Sequence, residues 1–549
     1  MADDQSTLER AQKLKDEGNT MFARKDYASA SVKYTEAIAL DEKNPILYAN
    51  RSACRLHLKQ FLDAATDALM ATKLNPYYGK AWARLATAKD ALGQPEASTL
   101  AWQEAIDTLP KENLTESERK QKSEYETGLA AASKALEALN LGADQSGRFL
   151  FKNDERSLLP WMCALAMIPQ LERERKFESS AWTISQAYLS LEQGNEWMNE
   201  MKTQARGGDE STRVRLKVIE FFSNAIMLDS RAFHVGDPDW GKKFNLQMRI
   251  ENSHHKSWAP FGPEKLFREV EDRLAREGWE SVRPALSTTV RSWIMFGFLE
   301  GITRRNYTSE AEHMIRAIDV IKWGRETWKN VPSEDRGVIF LDSFLRGVQK
   351  LHIEALVKVC ATEKDIPIKL QRLEDLLKAA EEMIKGIDGS QAPARQDGPS
   401  SAAAFYYYPR GYALGAKAFY YGRKAELTDT EQARKLHAQA FFNYVRATKD
   451  IPEDDEQHAL YLKAAIEHMI KAGAPVGVQL KCMEKLRLSI ERMGQIWGKM
   501  LSAQQREYDF VGVLGWEEKY KRLLAEGEIT EDSCMVFDKT INNGPASTT

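Results

Sequence analysis

The sequence lacks the marks of several large protein classes. It has only five cysteines in 549 residues, none in a Cys-x-x-Cys pair, which excludes a disulfide scaffold and favours reduced thiols in the cytoplasm. Its strongest apolar run, residues 158–171, has about 14 residues, which is too short to span a membrane and predicts a buried helix. No apolar stretch follows the acidic amino-terminal residues, so no signal peptide is expected.

The chain also lacks an excess of charge of one sign. Its formal net charge is −3, so neither nucleic acid nor an anionic membrane is predicted as a partner. The dinucleotide-binding, serine-hydrolase, zinc-protease and kinase motifs are missing from the sequence. We therefore expect no enzyme, no cofactor and no metal site.

What the sequence does have is one pattern that occurs three times between residues 8 and 109. The spacing is about 34 residues, the period of a two-helix repeat. The aligned positions are Tyr34, Ala37 and Leu40, then Ala68, Ala71 and Leu74, then Trp102, Ala105 and Thr108. Small residues recur where the two helices of a pair would approach most closely: Gly18 with Ala30, Ser52 with Ala64, and Ala86 with Ser98. An alanine-rich amphipathic stretch, 115–139, follows and is predicted to cap the last repeat.

The local sequence of these repeats is similar to a known family. The runs Glu17-Gly18-Asn19, Asp26-Tyr27, Ala37-Ile38 and residues 47–52 resemble tetratricopeptide repeats (TPR), specifically those of chaperone adaptors such as the heat-shock organising protein. The resemblance implies a superhelix of helix pairs over residues 8–139, with a concave groove lined by the first helix of each pair.

The helical period indicates which residues line that groove. Positions in the three repeats are counted from Ala11, Pro45 and Gly79. Successive residues turn about 100° around a helix, so positions 2, 5, 6 and 9 of each repeat lie opposite the packing face. These positions hold three cations and two amides, namely Lys15, Asn19, Asn50, Lys80 and Arg84. Asp16 is the only acidic residue among them, so the groove is expected to attract anions. A chain terminus that ends in an acidic residue offers two carboxylates to such donors.

The resemblance makes this expectation more specific. In TPR co-chaperones a "carboxylate clamp" of Lys, Asn, Asn, Lys and Arg binds the Glu-Glu-Val-Asp tails of heat-shock proteins 70 and 90. All five residue types match in register at the positions named above. The competing interpretation is that lysine and arginine on a helix face are simply solvated, and that the repeats bind a partner without a clamp.

The rest of the chain is also predicted to be helical, so the fold class is all-α. After a linker at 140–157 we expect a helical domain at 158–387, a second linker at 388–401, a helical TPR-like domain at 402–529 and a disordered tail at 530–549. Sequence features of the first repeats recur near Tyr307 and Tyr444, which favours an α-α solenoid. The residues after 142 resemble no known family.

One internal stretch has no helical period. Residues 229–263 are rich in Gly, Pro, Trp and His and are predicted to form a long loop. Within them, Gly236–Lys243 has the spacing of a phosphate-binding loop, but Lys243 occupies the position that needs Ser or Thr and no strand is predicted before it. We therefore reject a nucleotide site. His254-His255 has no third ligand in its surroundings and is expected to face solvent.

These observations favour a non-enzymatic co-chaperone or adaptor. Its groove would bind the acidic carboxyl-terminal peptide of heat-shock protein 90 or 70, and its carboxyl-terminal helical region could bind a client or a second protein. One alternative is a TPR scaffold that binds an unrelated internal peptide in a protein complex. Another is an enzyme within residues 157–530, which a buried cavity lined by ionisable groups would favour.

Overall fold

A computed structural model describes residues 2–142, 159–206, 209–428, 430–498 and 501–534. The chain divides into two compact units. The first unit contains residues 1–148, 257–289 and 296–316, and the second contains residues 149–256, 290–295 and 317–549. The predicted boundaries differ from this division, because two stretches of the expected 158–387 domain pack with the first unit.

Seven helices form the amino-terminal part of the first unit. They are α1 (Ala2–Ala23), α2 (Tyr27–Leu40), α3 (Pro45–His57), α4 (Phe61–Leu74), α5 (Gly79–Ala91), α6 (Pro95–Asp107) and α7 (Glu116–Gly142). Helix α2 begins after Asp26, whose side chain accepts a hydrogen bond from the backbone N–H of Ser29, and α3 begins after Asn44, which caps Ile46 in the same way. Three helix pairs and a capping helix are therefore present, as the sequence predicts.

The predicted close approaches within each pair are confirmed. A Cβ atom added to Gly18 would lie 2.9 Å from the Tyr34 ring, so α1 can pack against α2 only with glycine there. In the next two pairs a serine hydroxyl donates to a backbone carbonyl of the partner helix: Ser52 to Ala64 at 2.8 Å and Ser98 to Ala86 at 3.0 Å. Small side chains and these bonds together set the spacing of the repeats.

Sixteen further helices follow along the described residues. They are α8 (Pro160–Arg173), α9 (Ala181–Asn199), α10 (Val218–Asp229), α11 (Trp240–His254), α12 (Pro263–Glu277), α13 (Trp279–Arg304), α14 (Tyr307–Thr327), α15 (Ser333–Arg336), α16 (Asp342–Thr362), α17 (Ile366–Asp388), α18 (Pro399–Ala402), α19 (Tyr408–Ala425), α20 (Thr430–Ala447), α21 (Glu456–Ala472), α22 (Val476–Trp497) and α23 (Leu501–Ala525). In the second unit α8 packs on α9, α9 on α10, and each of α19 to α22 on the helix that follows it.

The all-α prediction is confirmed, with one local exception. Lys202–Arg206 and Asp209–Arg213 pair as a two-stranded antiparallel hairpin between α9 and α10. The expected linker at 140–157 lies almost entirely outside the described residues, as does most of the expected tail at 530–549. Between 388 and 401 a short 3-10 turn at Arg395–Asp397 precedes α18. No helix in the described part of the chain is long and apolar enough to cross a membrane.

The prediction of a long loop at 229–263 is wrong. Helix α11 occupies 15 of these residues, and Trp240, Phe244 and Met248 form its buried face. These three residues stand four apart, which is the spacing of one helix face. The Gly, Pro and His residues around α11 give the stretch the composition of a loop, so the short helical period was not recognised from the sequence.

The first unit contains a charged contact that the sequence did not predict. The Glu312 carboxylate accepts backbone N–H bonds from Phe61 at 3.2 Å and Leu62 at 2.7 Å, and Asp63 and Arg316 lie beside it. Burial raises the pKa of Glu312 to about 7 in spite of these bonds. The charged form is therefore disfavoured in the folded state.

This pKa gives a testable pH dependence. An unfolded glutamate titrates near 4.5, so the folded state holds the proton more tightly. The stability contributed by Glu312 is fully present below about pH 4.5 and is lost as the pH rises through 7. We expect the Tm of Glu312→Gln, relative to wild type, to increase between pH 5 and 7.5. A Tm difference between Glu312→Gln and wild type that stays constant with pH would contradict the assignment.

Candidate peptide-binding site

Three of the five predicted groove residues meet at one place. The Asn50 side-chain amide donates to the Asn19 side-chain oxygen at 3.3 Å, and a guanidinium N–H of Arg84 donates to the Asn50 oxygen at 3.5 Å. These residues belong to α1, α3 and α5, the first helices of the three pairs. The structure thus brings together, in one row, side chains that are 31 and 34 residues apart.

The two remaining groove residues lie one helical turn away from the ends of this row. Lys15 precedes Asn19 by four residues on α1, and Lys80 precedes Arg84 by four on α5, a spacing that places each pair on one helix face. Lys80 is exposed and Lys15 is half-buried. Within the described part of the chain neither ammonium group forms an ion pair.

Arg84 is the most enclosed cation of the row. Burial lowers its pKa, and its electrostatic neighbours are the phenols of Tyr34, Tyr78 and Tyr125 and the thiol of Cys54. Burial also raises the pKa of Tyr34 to about 12 and that of Cys54 to about 11, so both are neutral near pH 7. An arginine remains protonated under these conditions. It is therefore a cation whose charge burial disfavours and whose largest electrostatic partners are neutral groups.

Tyr34 has a part in the site that the sequence reasoning missed. Its hydroxyl donates to the Asn19 oxygen at 2.7 Å, the same atom that receives the Asn50 amide. Both lone pairs of that oxygen are thereby used, so the Asn19 amide nitrogen points elsewhere as a donor. The sequence does contain a sign of this role, because the large residue Tyr34 is paired with a glycine, Gly18, on the facing helix.

The one acidic side chain at the groove positions is engaged along its own helix. Both carboxylate oxygens of Asp16 accept from the Gln12 amide at 3.0 Å. The site therefore consists of two ammonium groups, one guanidinium and two amides. Charged donors of this kind form short, strong bonds to carboxylates.

The motifs rejected in the sequence show no ligand geometry either. Lys243 pairs with Asp237 at 2.5 Å and donates to Asn199 at 2.9 Å, so its charge is used within the chain. His254 is exposed and ends α11, with His255 after it. No group of three or more His, Cys, Asp or Glu side chains among the residues described could hold a metal ion.

Comparison with known proteins finds relatives that are similar to about a quarter of the chain or less. No family model matches the chain. It is 44% identical over 96 residues to the "Heat shock protein sti1 homolog" of Schizosaccharomyces pombe, which covers 18% of this chain and 16% of the relative. It is 40% identical over 139 residues to "Small glutamine-rich tetratricopeptide repeat-containing protein 2" of Saccharomyces cerevisiae. This alignment covers 25% of this chain and 38% of the relative.

A solved structure with similar sequence is the Sgt2 TPR domain from Aspergillus fumigatus, at 32% identity. The alignment covers 24% of this chain and 83% of that domain, with a TM-score of 0.21. The chain thus spans less than two fifths of the length of the curated relatives described above.

Proposed function

We propose that this chain, whose helices α1–α7 form a tetratricopeptide-repeat domain of the co-chaperone type, is a non-enzymatic adaptor that binds the acidic carboxyl terminus of a chaperone. The ligand would be a Glu-Glu-Val-Asp tail of the heat-shock protein 90 or 70 type. Lys15, Asn19, Asn50, Lys80 and Arg84 would hold it as a carboxylate clamp. A cytoplasmic location belongs to the same proposal, and none of the five cysteines, all within the described residues, forms a disulfide.

The single observation that carries the proposal is the row Asn19–Asn50–Arg84. The row joins three helices by side-chain hydrogen bonds, and a lysine lies one turn from each end. A terminal aspartate offers two carboxylates within a few ångströms of each other. One can meet the enclosed Arg84 while the other meets an exposed lysine, and the amides can donate to either.

The expected affinity is moderate. Hydrogen bonds to charged groups contribute roughly 1.5 to 3 kcal/mol each, and ordering a flexible tail offsets a large part of the sum. A net binding free energy of about 8 kcal/mol corresponds to a Kd near 1 μM. Such binding is readily reversible, which suits an adaptor that exchanges partners.

The experiment that tests this function is a calorimetric titration of the full chain with a peptide ending in Glu-Glu-Val-Asp. We expect saturable one-to-one binding with a Kd of about 1 to 30 μM at low salt, weakening as salt screens the charges. Absence of saturable binding at millimolar peptide would contradict the proposal. Capture of an unrelated protein through an internal peptide would instead favour a TPR scaffold. A client or second partner of the carboxyl-terminal helices stays a prediction.

A further inference from the structure

The helices that carry the groove residues are contacted, within the same unit, by a distant part of the chain. We call residues 257–289 and 296–316 the docked segment; it comprises α12, most of α13 and the first half of α14. It packs with α1–α7 as part of the first unit. Three groups of its contacts lie at α3, at the start of α4 and just after α5, and Arg268 also binds Glu42 before α3 at 2.9 Å.

The first contact balances a buried pair of arginines on α3. Arg51 and Arg55 are 3% and 6% exposed, and both bind Asp67 of α4, at 2.7 and 2.6 Å. One carboxylate cannot neutralise two guanidinium groups. Glu264, in the first turn of α12, supplies the second: it binds Arg51 at 2.7 Å and also binds Arg55. Glu264 thus adds a carboxylate that contacts both guanidinium groups, in addition to Asp63 of α4, whose charge also acts on Arg55.

The second contact completes the start of α4. The residue before α4, Gln60, makes no side-chain cap, and Glu312 of the docked segment accepts the first two backbone N–H groups instead. Arg316 also binds Asp63 in the first turn, at 2.6 and 3.0 Å. A carboxylate at a helix amino terminus satisfies otherwise unpaired donors. The docked segment thus supplies the cap that α4 lacks.

The third contact fixes the end of α5. The Asn306 amide donates to the carbonyl of Leu92, the residue that caps α5. The Gln94 side-chain amide donates a hydrogen bond to Glu300 at 3.4 Å. The negative charge of Glu300 also acts on Lys89, where it partly offsets the lowering of the pKa by burial. The carboxyl end of α5 is therefore attached to the docked segment.

From these contacts we propose that the docked segment positions α3 and α5, and with them Asn50, Lys80 and Arg84, for binding the peptide terminus. Arg51 directly follows Asn50 on α3, and Lys89 lies on the same helix as Arg84. The three contacts described above do not include α1, which carries Lys15 and Asn19. The inference rests on the proposed function, because it assigns Glu264 and Asn306 as positioning residues for that same groove.

The test uses the full chain with Glu264→Gln, which removes the charge and keeps the size of the side chain. Glu271→Gln is the matched control, since Glu271 is exposed on the same helix α12 and loses the same charge. We expect the Kd for a peptide ending in Glu-Glu-Val-Asp to rise roughly fivefold or more in Glu264→Gln and to stay unchanged in the control. Hydrogen exchange should become faster in α3 and α5 and remain as in wild type in α1.

The outcomes separate this inference from the proposed function. Wild-type binding with an unchanged Kd in Glu264→Gln overturns the positioning role and leaves the proposed function standing. If the wild-type chain does not bind the peptide, the proposed function and the predicted effect on affinity are both overturned. If, in addition, hydrogen exchange in α3 and α5 is the same in Glu264→Gln as in wild type, the positioning role is overturned as well. If Glu264→Gln loses helix content, Asn306→Ala takes its place, with the same expected rise in Kd and faster exchange at the end of α5.

Discussion

Replacing Lys80 and Arg84 together by alanine is expected to weaken binding of a Glu-Glu-Val-Asp peptide by about a thousandfold. Each side chain is assigned a charge-assisted contact worth roughly 2 kcal/mol, and every 1.4 kcal/mol is about tenfold in Kd. Starting from a Kd near 1 μM, the double variant would show no saturation in a calorimetric titration. The loss should be large because Arg84 is half-buried, and burial disfavours its charge until an anion binds.

A control with the same change in net charge is available. Lys13 and Lys73 are exposed and lie outside the groove positions, on α1 and α4. Lys13→Ala with Lys73→Ala also removes two positive charges, and we expect its Kd to stay within about twofold of wild type, because exposed distant charges are screened by salt. Equal weakening in the two double variants would mean that only overall charge matters, which contradicts a clamp.

Replacing Asp67 by alanine is expected to destabilise the first unit by about 3 to 5 kcal/mol. Asp67 is 2% exposed and binds both Arg51 and Arg55. Without it the buried guanidinium groups would lose a carboxylate that binds both of them, and breaking a buried ion pair is costly. Native-state hydrogen exchange of α3 and α4 measures the effect, since protection should fall by about two to four powers of ten.

Asp107→Ala serves as the control for this stability change. Asp107 is exposed in the last turn of α6, where it accepts a hydrogen bond from Gln103. Removing an exposed carboxylate typically changes stability by less than about 0.5 kcal/mol. An effect of Asp67→Ala as small as that of Asp107→Ala would show that the buried cluster is not needed for the fold.

The sequence was sufficient to predict the amino-terminal repeats because local spacing determines them. Gly18 must be small because the Tyr34 ring packs against it, and Ser52 and Ser98 recur because their hydroxyls bond the partner helix. The alignment of Asn50 with Arg84 follows from the same 34-residue period, and Asn19 lies on the matching face of α1. Which of these side chains bond directly to one another depends on rotamers, and the period does not determine those.

The buried charges could not be predicted in the same way. On a helix, Arg51 and Arg55 are expected to be solvated, and Asp67 carries no local signal of burial. Their burial is made possible by Glu264, about 200 residues further along the chain. Contacts made over such separations leave no periodic trace in either segment. For the same reason, the prediction of a domain at 158–387 did not take these long-range contacts into account.

Helix α11 shows the opposite difficulty, because its signal is local but short. Trp240, Phe244 and Met248 lie on one face, yet Gly, Pro and His residues around them dominated the composition. Glu251, one turn further on, is buried and accepts the backbone N–H of Val218 at 2.9 Å. A buried carboxylate of this kind is recognisable only once α10 and α11 are placed together.

The most direct test of the central claim compares two peptides that differ only at the carboxyl terminus. One ends in Glu-Glu-Val-Asp with a free carboxylate, and the other has the same sequence with that carboxylate amidated. If Lys15, Asn19, Asn50, Lys80 and Arg84 hold the terminus, amidation should raise the Kd measured by calorimetry at least about thirtyfold, the loss of a charged partner worth roughly 2 kcal/mol or more. Equal affinity for the free and the amidated peptide would contradict the clamp.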